Sequence, residues 1–184
     1  MMTLGKRQLA AMALACLAAV LGGCSAGQMN VSAGEATLPA DEDSAAYLDR
    51  LSSQPTVSEN DAMRGVLMLV NGQDTAASFE QRVTTLRDQG IVAAAWDFQA
   101  DRPVTRGRVA FMIYQACKVP GGVMLTLTGP SQRYCLSELQ YRGFIAPGAW
   151  YNPVSGMEYV AVLGRADAYL ETGEVPEVMA AGQQ

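Results

Sequence analysis

The sequence predicts an all-α domain made of three helix–loop–helix units, with one short β element near residues 122–128 as the exception. The clearest unit contains Val109, Met112, Ile113 and Ala116, which follow the i, i+3, i+4, i+7 spacing of a half-buried helix. A similar apolar stripe recurs about 47 residues upstream and about 50 residues downstream. These further stripes consist of Ala62, Gly65, Val66 and Leu69, and of Tyr159, Val162, Leu163 and Ala166. One helix pair cannot bury its apolar face alone, so the three units are expected to share a core.

Unit one, residues 41–72, starts with three acidic residues, which favour the first turn of a helix. This first helix is short and is expected to turn Leu48 and Leu51 inward. The second helix is predicted to begin at Ser58. Ser58 and Asp61 have the spacing of a capping box, in which the serine side chain accepts a hydrogen bond from a first-turn amide.

Units two and three, residues 77–117 and 131–170, have the same plan. Their first helices are predicted over about 77–89 and about 131–142, and Gly90 and Gly143 are expected to end them in the left-handed conformation. Their second helices are expected to be capped by Thr105 and Ser155. The side chains of the first helices that are expected to face the core are Phe79, Val83, Leu86, Leu136 and Leu139.

The segment between units two and three has a different pattern. Val123, Leu125 and Leu127 alternate with Met and Thr residues, and glycine and proline flank the run. The pattern predicts an extended apolar linker that crosses the core. The domain is expected to end near residue 175, and the polar residues 176–184 are predicted to form a disordered tail.

The first 23 residues have the pattern of a bacterial export signal. Lys6 and Arg7 precede an apolar run, residues 9–21, that is short for a membrane span. The run ends in Leu-Gly-Gly-Cys24, which resembles the lipobox of bacterial lipoproteins. The resemblance implies cleavage before Cys24 and a lipid anchor, including palmitate, on that residue. An ordinary secretory signal with a chance cysteine is the alternative.

Residues 24–40 are rich in small and polar residues and predict a flexible tether between lipid and domain. Ser25 stands where an aspartate retains some lipoproteins at the inner membrane. An outer-membrane location, facing the periplasm or the cell surface, is therefore expected. The membrane contact would be made by the lipid rather than by a spanning helix.

Charge and composition exclude several classes of function. Removal of the signal takes two of 13 basic residues and none of 18 acidic ones, which leaves a net charge of 11 − 18 = −7. An acidic chain without basic clusters argues against nucleic acid as a partner. The chain has no histidine and no CxxC pair, so no catalytic residue, metal site or cofactor is predicted. An enzyme would need two carboxylates converging in a pocket, whereas the pairs Asp97 with Asp101 and Glu42 with Asp49 fit surface charge better.

Two cysteines, Cys117 and Cys135, remain after the signal and the lipidated residue are set aside. In an oxidising compartment they are expected to form a disulfide, which would stabilise the domain by about 3 kcal/mol in the loop-entropy picture. Two buried free thiols are the alternative, because free cysteine behaves as a small hydrophobic residue.

The middle unit carries a family resemblance. It contains Gly90-Ile91 after a helix, a loop with Phe98, the run Pro-Val-Thr-Arg at 103–106 and an apolar helix. This arrangement resembles the S-layer homology (SLH) repeat, and the resemblance covers about residues 45–170. It implies three repeats with pseudo-threefold symmetry around one core. It also implies a non-catalytic protein that binds peptidoglycan or another cell-wall polysaccharide.

The resemblance also implies where a ligand would bind. In SLH domains the four residues that start each second helix line a groove, and an arginine among them meets acidic groups of the glycan. The corresponding positions here are 58–61, 105–108 and 155–158, and only the middle set keeps that arginine. The ligand-binding hypothesis names Trp96, Arg102, Thr105, Arg106 and Arg108.

Physical chemistry gives the same cluster independent support and an alternative. Arg106 and Arg108 lie at a helix N-terminus, where open amides favour an anion, and Arg102 lies just upstream. Trp96 offers a surface on which a sugar can stack. In the alternative, the arginines form surface salt bridges with Asp97 and Asp101, and Trp96 fills the core.

Two functional hypotheses therefore make different structural predictions. Glycan binding predicts that Arg102, Arg106 and Trp96 face one groove. A protein–protein adaptor with lost glycan sites would use Tyr134, Tyr141, Trp150 and Tyr151, and it predicts that Phe144, Trp150 and Tyr151 form an exposed apolar patch.

Overall fold

Seven helices make up the part of the chain that the computed structural model describes, residues 43–176. This part lies within one unit of the chain, Pro39–Gln184. The helices are α1 Ser44–Ser52, α2 Glu59–Asn71, α3 Phe79–Asp88, α4 Arg106–Ala116, α5 Val123–Thr128, α6 Gln132–Tyr141 and α7 Gly156–Thr172. The all-α prediction is confirmed. The predicted signal peptide, Cys24, the tether and most of the predicted tail lie outside the described residues.

Serine and threonine caps start five of these helices. Each cap residue has an extended backbone, and its hydroxyl oxygen accepts a hydrogen bond from the amide three residues later. The caps are Ser58, Ser78, Thr105, Ser131 and Ser155. The three caps predicted for the second helices of the units are therefore confirmed.

Left-handed glycines end the first helices of units two and three. Gly90 and Gly143 have φ angles of 71° and 81°. After each of them the chain folds back, because the amide of Ile91 donates to the carbonyl of Leu86 and that of Phe144 donates to Leu139, both at 2.9 Å. Both predicted stops are confirmed, and each places a buried apolar residue directly after the turn.

The helices pack in a cyclic order. The second helix of each unit contacts the first helix of the next one: α2 packs on α3, α4 on α6 and α7 on α1. In addition, α2 contacts both α4 and α7. The residues predicted to face inward line the resulting core, with Leu48 and Phe79 half-buried at its edge.

Three buried valines lie where the second helices begin, and their backbones form a closed ring. Val104 N donates to Val57 O at 2.8 Å, Val154 N to Val104 O at 3.1 Å, and Val57 N to Val154 O at 2.9 Å. Each valine immediately precedes a cap residue. The ring therefore fixes the starting points of α2, α4 and α7 relative to one another.

The predicted β element near residues 122–128 is wrong. These residues form α5, and the pairings between extended segments in the described part are the isolated bridges Ser58↔Pro103 and Thr105↔Pro153. Apolar alternation misled the prediction because only Leu125 is buried, whereas Val123 and Leu127 are exposed. One buried residue in six fits a short helix lying on the surface.

Candidate functional site at the unit junctions

The positions that the family resemblance assigns to ligand grooves lie at three junctions between units. At each junction the first amide of a second helix donates to a loop carbonyl of another unit. Glu59 N donates to Arg102 O at 2.8 Å in the first junction, between units one and two. Arg106 N donates to Asn152 O at 2.8 Å in the second, between units two and three. Gly156 N donates to Gln54 O at 3.0 Å in the third, between units three and one.

Glu59 is the centre of the first junction. Its side chain is 2% exposed and receives the guanidinium of Arg102, with Nε 3.0 Å from Oε1 and Nη2 3.2 Å from Oε2. Arg108 donates to the same Oε1, and the amide of Gln99 donates to Oε2 at 2.8 Å. The hydrogen bonds to Glu59 raise the pKa of Arg102 above its ordinary value. Two cations and a backbone amide compensate the burial of one carboxylate.

Aromatic side chains cover one side of this ion cluster. The guanidinium of Arg108 lies 5.2 Å from the ring centroid of Trp96 and 5.1 Å from that of Phe98, within cation–π range. Trp96 in turn packs on Phe111 at 4.9 Å between ring centroids. Trp96 is half-buried against the core, as the alternative for this residue states, and it also contacts the arginine cluster.

Asp97 lies on the solvent side of the first junction. Arg102 Nη1 lies 3.3 Å from Asp97 Oδ2, and Arg102 Nη2 donates to the Asp97 carbonyl at 2.6 Å. The Asp97 carboxylate is exposed and also lies 3.8 Å from Arg108 Nη2. Both arginines are thus held by carboxylates of the chain itself, so an external anion would have to compete with Glu59 and Asp97.

Arg106 belongs to the second junction and not to the first. Its Nη1 donates to the carbonyls of Ala146 and Pro147 at 2.9 and 3.0 Å. Its Nη2 lies 2.6 Å from Glu158 Oε1, an ion pair without hydrogen-bond geometry. A Cβ atom on Gly148 would lie 2.0 Å from Arg106 Nη1, so the glycine makes room for the guanidinium.

The third junction has no side chain at the corresponding position. A Cβ atom on Gly156 would lie 1.7 Å from the carbonyl oxygen of Leu51, a distance that no side chain tolerates. The glycine therefore allows α7 to start directly against the chain of unit one.

The structure divides the predicted ligand residues between two sites. Arg102, Arg108 and Trp96 meet in the first junction, whereas Arg106 lies in the second. Thr105 is the α4 cap, and its hydroxyl accepts from the Arg108 amide at 3.4 Å. Arg106 thus has different partners from Arg102 and Trp96, and the common groove that glycan binding predicts for the three residues stays a prediction.

The patch predicted for an adaptor is wrong in one member. Phe144 is buried beneath Tyr169, with the ring centroids 5.2 Å apart. Trp150 and Tyr151, by contrast, are 45% and 64% exposed. Their rings lie 5.8 Å apart in an edge-to-face arrangement, next to the loop that supplies carbonyls to the second junction.

The predicted disulfide is not formed. Cys117 and Cys135 are free and buried, as in the alternative of two thiols. Cys117 Sγ lies 3.9 Å from the carbonyl of Ala166 in α7, so it contacts α7, while Cys135 lies in the first turn of α6. Burial raises the pKa of each thiol to about 12.

Sequence analysis missed that Glu59 and Glu158, together with Asp97, hold the arginines. The available signal was charge complementarity between units. The first position of the second helix is acidic in unit one and basic in unit two, and the position of Arg108 is acidic in units one and three.

Other chemistry is sparse in residues 43–176. Asp97 and Asp101 are both exposed. Within this range no group of three or more Cys, Asp or Glu side chains is arranged to hold a metal ion. Nor does any helix in this range have the length and apolar content that crossing a bilayer requires. Comparisons of the chain with protein-family models, curated proteins and solved structures give no match.

Proposed function

We propose that the protein is a bacterial cell-envelope lipoprotein, anchored through Cys24, whose helical domain is a non-catalytic adaptor that binds another envelope protein. The anchor rests on the lipobox pattern of the sequence. The adaptor role rests on a contrast between two sets of side chains. The arginines of the junctions are bound by carboxylates of the chain itself, whereas the aromatic pair Trp150 and Tyr151 is exposed to solvent.

The exposed pair Trp150 and Tyr151 is the observation that carries this proposal. Large aromatic side chains are enriched at the centres of protein interfaces because they bury much area at a small entropic cost. The second junction fixes the backbone of this pair, because Gly107 N donates to the Trp150 carbonyl at 2.8 Å. The edge-to-face rings do not form one flat surface for a sugar, and this favours a protein partner.

Site-specific cross-linking tests the adaptor role. A photo-reactive residue replaces Tyr151 in the full lipoprotein, expressed in its cells, and the matched control carries it at Leu170, which is also exposed. We expect a discrete cross-linked product from position 151 that disappears with Trp150→Ala. Equal products from both positions, or none from position 151, would contradict the role of the aromatic pair.

Glycan binding remains a second candidate, and one observation favours it. The side chain of Arg102 is 30% exposed beside Asp97 and Trp96, so a ligand has access to one edge of the first junction. Sedimentation of the mature chain with purified peptidoglycan sacculi tests it. Salt-sensitive binding that is lost in Arg102→Ala, but kept in Trp150→Ala, would show that the domain binds the cell wall and would contradict the adaptor role.

A further inference from the structure

Helix α5 exposes an apolar face that no other part of the described chain covers. Val123 and Leu127 are one helical turn apart, and each is 76% exposed, with Met124 beside them. Leu125 is buried and holds the helix against α6. The exposed side chains are therefore presented on a fixed element of the fold and not on a loose loop.

The two threonine hydroxyls of α5 are satisfied within the helix. Thr126 Oγ1 donates to the carbonyl of Gly122 at 3.2 Å, and Thr128 Oγ1 donates to that of Met124 at 2.7 Å. Thr126 N also donates to the Gly122 carbonyl, at 3.1 Å. Threonine hydroxyls that bond back to the helix carry a small desolvation penalty, so this face tolerates an apolar environment.

The stretch of sequence that contains α5 differs in charge from the rest of the chain, and Glu138, which lies near Gly122 in space, is paired with Arg142. Residues 102–137 contain no acidic residue, although the whole chain has a net charge of −5. Three of the five basic residues in this stretch are the arginines of the junctions. The other two, Lys118 and Arg133, flank α5 in sequence, are exposed and form no ion pair within residues 43–176. An apolar face flanked in sequence by two such cations is complementary to anionic lipid headgroups.

The proposed lipid anchor would keep this face close to a bilayer. Asp43 follows Cys24 by 19 residues, so a chain of this length can span at most about 65 Å. Within such a distance even a weak surface contact is favoured, because the anchor makes it intramolecular.

We propose that α5 docks the domain on the anionic membrane surface, with Val123, Met124 and Leu127 inserted at the headgroup level and with Lys118 and Arg133 on the lipid phosphates. This inference rests on the lipoprotein part of the proposed function and is independent of the aromatic pair. The lipid would supply the anchor, and α5 would set the orientation of the domain on the membrane.

Vesicle binding by the mature chain, residues 24–184 with Cys24→Ser, tests α5 without the lipid. The vesicles consist of phosphatidylethanolamine and phosphatidylglycerol, and phosphatidylcholine vesicles serve as the uncharged comparison. We expect binding to the anionic vesicles that falls by about tenfold in Val123→Ser/Leu127→Ser. Lys118→Gln and Arg133→Gln should each weaken it by about fivefold. The control Val70→Ser/Leu170→Ser changes two exposed apolar residues outside α5 and should leave binding unchanged.

Three results would overturn the inference: no binding to anionic vesicles, binding that survives Val123→Ser/Leu127→Ser, or self-association that is lost in this variant without vesicle binding. The last result would show that a second copy covers α5. The six substituted side chains are exposed, so the variants should fold, and unfolding curves check that misfolding is not the cause. Failure of the lipoprotein proposal is seen separately, as absence of palmitate labelling on the wild-type chain.

Discussion

The first and the third junctions hold equivalent helices in place by opposite means. In the first, the helix begins with Glu59, whose buried carboxylate binds two guanidinium groups. In the third, it begins with Gly156, which has no side chain, and the Leu51 carbonyl occupies the space that a Cβ would need. The position is buried in both cases. A side chain there must therefore be neutralised by partners or be absent.

The second junction combines features of both. Arg106 reverses the charge of Glu59, and a cation at a helix N-terminus is opposed by the helix dipole. Glu158 and two loop carbonyls compensate for it, and Gly148 makes room. Because these partners lie nearer to solvent than Glu59, the second junction is expected to be the weaker of the two ionic ones.

The largest effect is expected for Gly156→Ala. The new methyl group would meet a backbone carbonyl at 1.7 Å, and backbone cannot move aside as a flexible side chain does. We expect a loss of about 4 kcal/mol in the free energy of unfolding, at the upper end for overpacking. Urea denaturation measures this loss.

Gly164→Ala, in the same helix, is the control for Gly156→Ala. No atom lies within 4 Å of its Cβ position, so alanine should stabilise α7 by about 0.5–1 kcal/mol. Equal effects of the two substitutions would contradict the close approach at the third junction.

The next largest effect is expected for Glu59→Gln. The amide keeps the shape of the side chain but leaves Arg102 and Arg108 without their shared buried anion. We expect a loss of about 3 kcal/mol, since breaking a buried ion pair costs more than the pair itself contributes. Guanidinium chloride would screen the charges, so urea is the denaturant to use.

A double change sharpens the Glu59 prediction. Glu59→Gln combined with Arg108→Met removes one of the two cations that lose the Glu59 carboxylate and should recover part of the loss. Additive losses in the double variant would show that the ion cluster is not the cause.

Local features of the fold were predictable because their causes lie within a few residues. Ser58, Thr105 and Ser155 cap helices through amides three residues away, and Gly90 and Gly143 end helices through their own φ angles. The apolar helical stripes likewise identify the core. Each of these signals is contained within about two helical turns of the chain.

The site was not predictable in the same way because its partners are distant in sequence. Glu59 meets Arg102 and Arg108, 43 and 49 residues further along the chain. Sequence spacing placed Arg106 with them, although its position on the helix directs it to another unit. The short α5 was missed because apolar alternation over six residues does not distinguish a strand from an exposed helical turn.

A smaller effect is expected for Arg106→Ala. Its ion pair with Glu158 is partly screened by solvent, so we expect a loss of about 1 kcal/mol. A double-mutant cycle with Glu158→Gln measures the coupling between them, which should be well below the coupling of Glu59 with Arg108. A coupling as large as that of the first junction would show that the two ionic junctions are equivalent.

The smallest effect concerns the two buried thiols and their pH dependence. Burial raises the pKa of Cys117 and Cys135 from 9.0 to about 12 in the folded chain. Their contribution to stability is therefore complete below about pH 9 and is lost as the pH rises toward 12. Near pH 8 both thiols should resist a thiol reagent in the folded chain and react fully, without a reductant, in the unfolded chain.

Thiol labelling also distinguishes the junctions. Cys135 lies on α6, which packs on α4 between units two and three. If the second junction opens first, Arg106→Ala should accelerate labelling of Cys135 by roughly fivefold, the equivalent of about 1 kcal/mol. Cys117→Ala and Cys135→Ala, made in residues 24–184 with Cys24→Ser so that each variant has one thiol left, separate the two rates. Unreactive cysteines in unreduced, unfolded protein would contradict the two free thiols and show that Cys117 and Cys135 are oxidised to a disulfide.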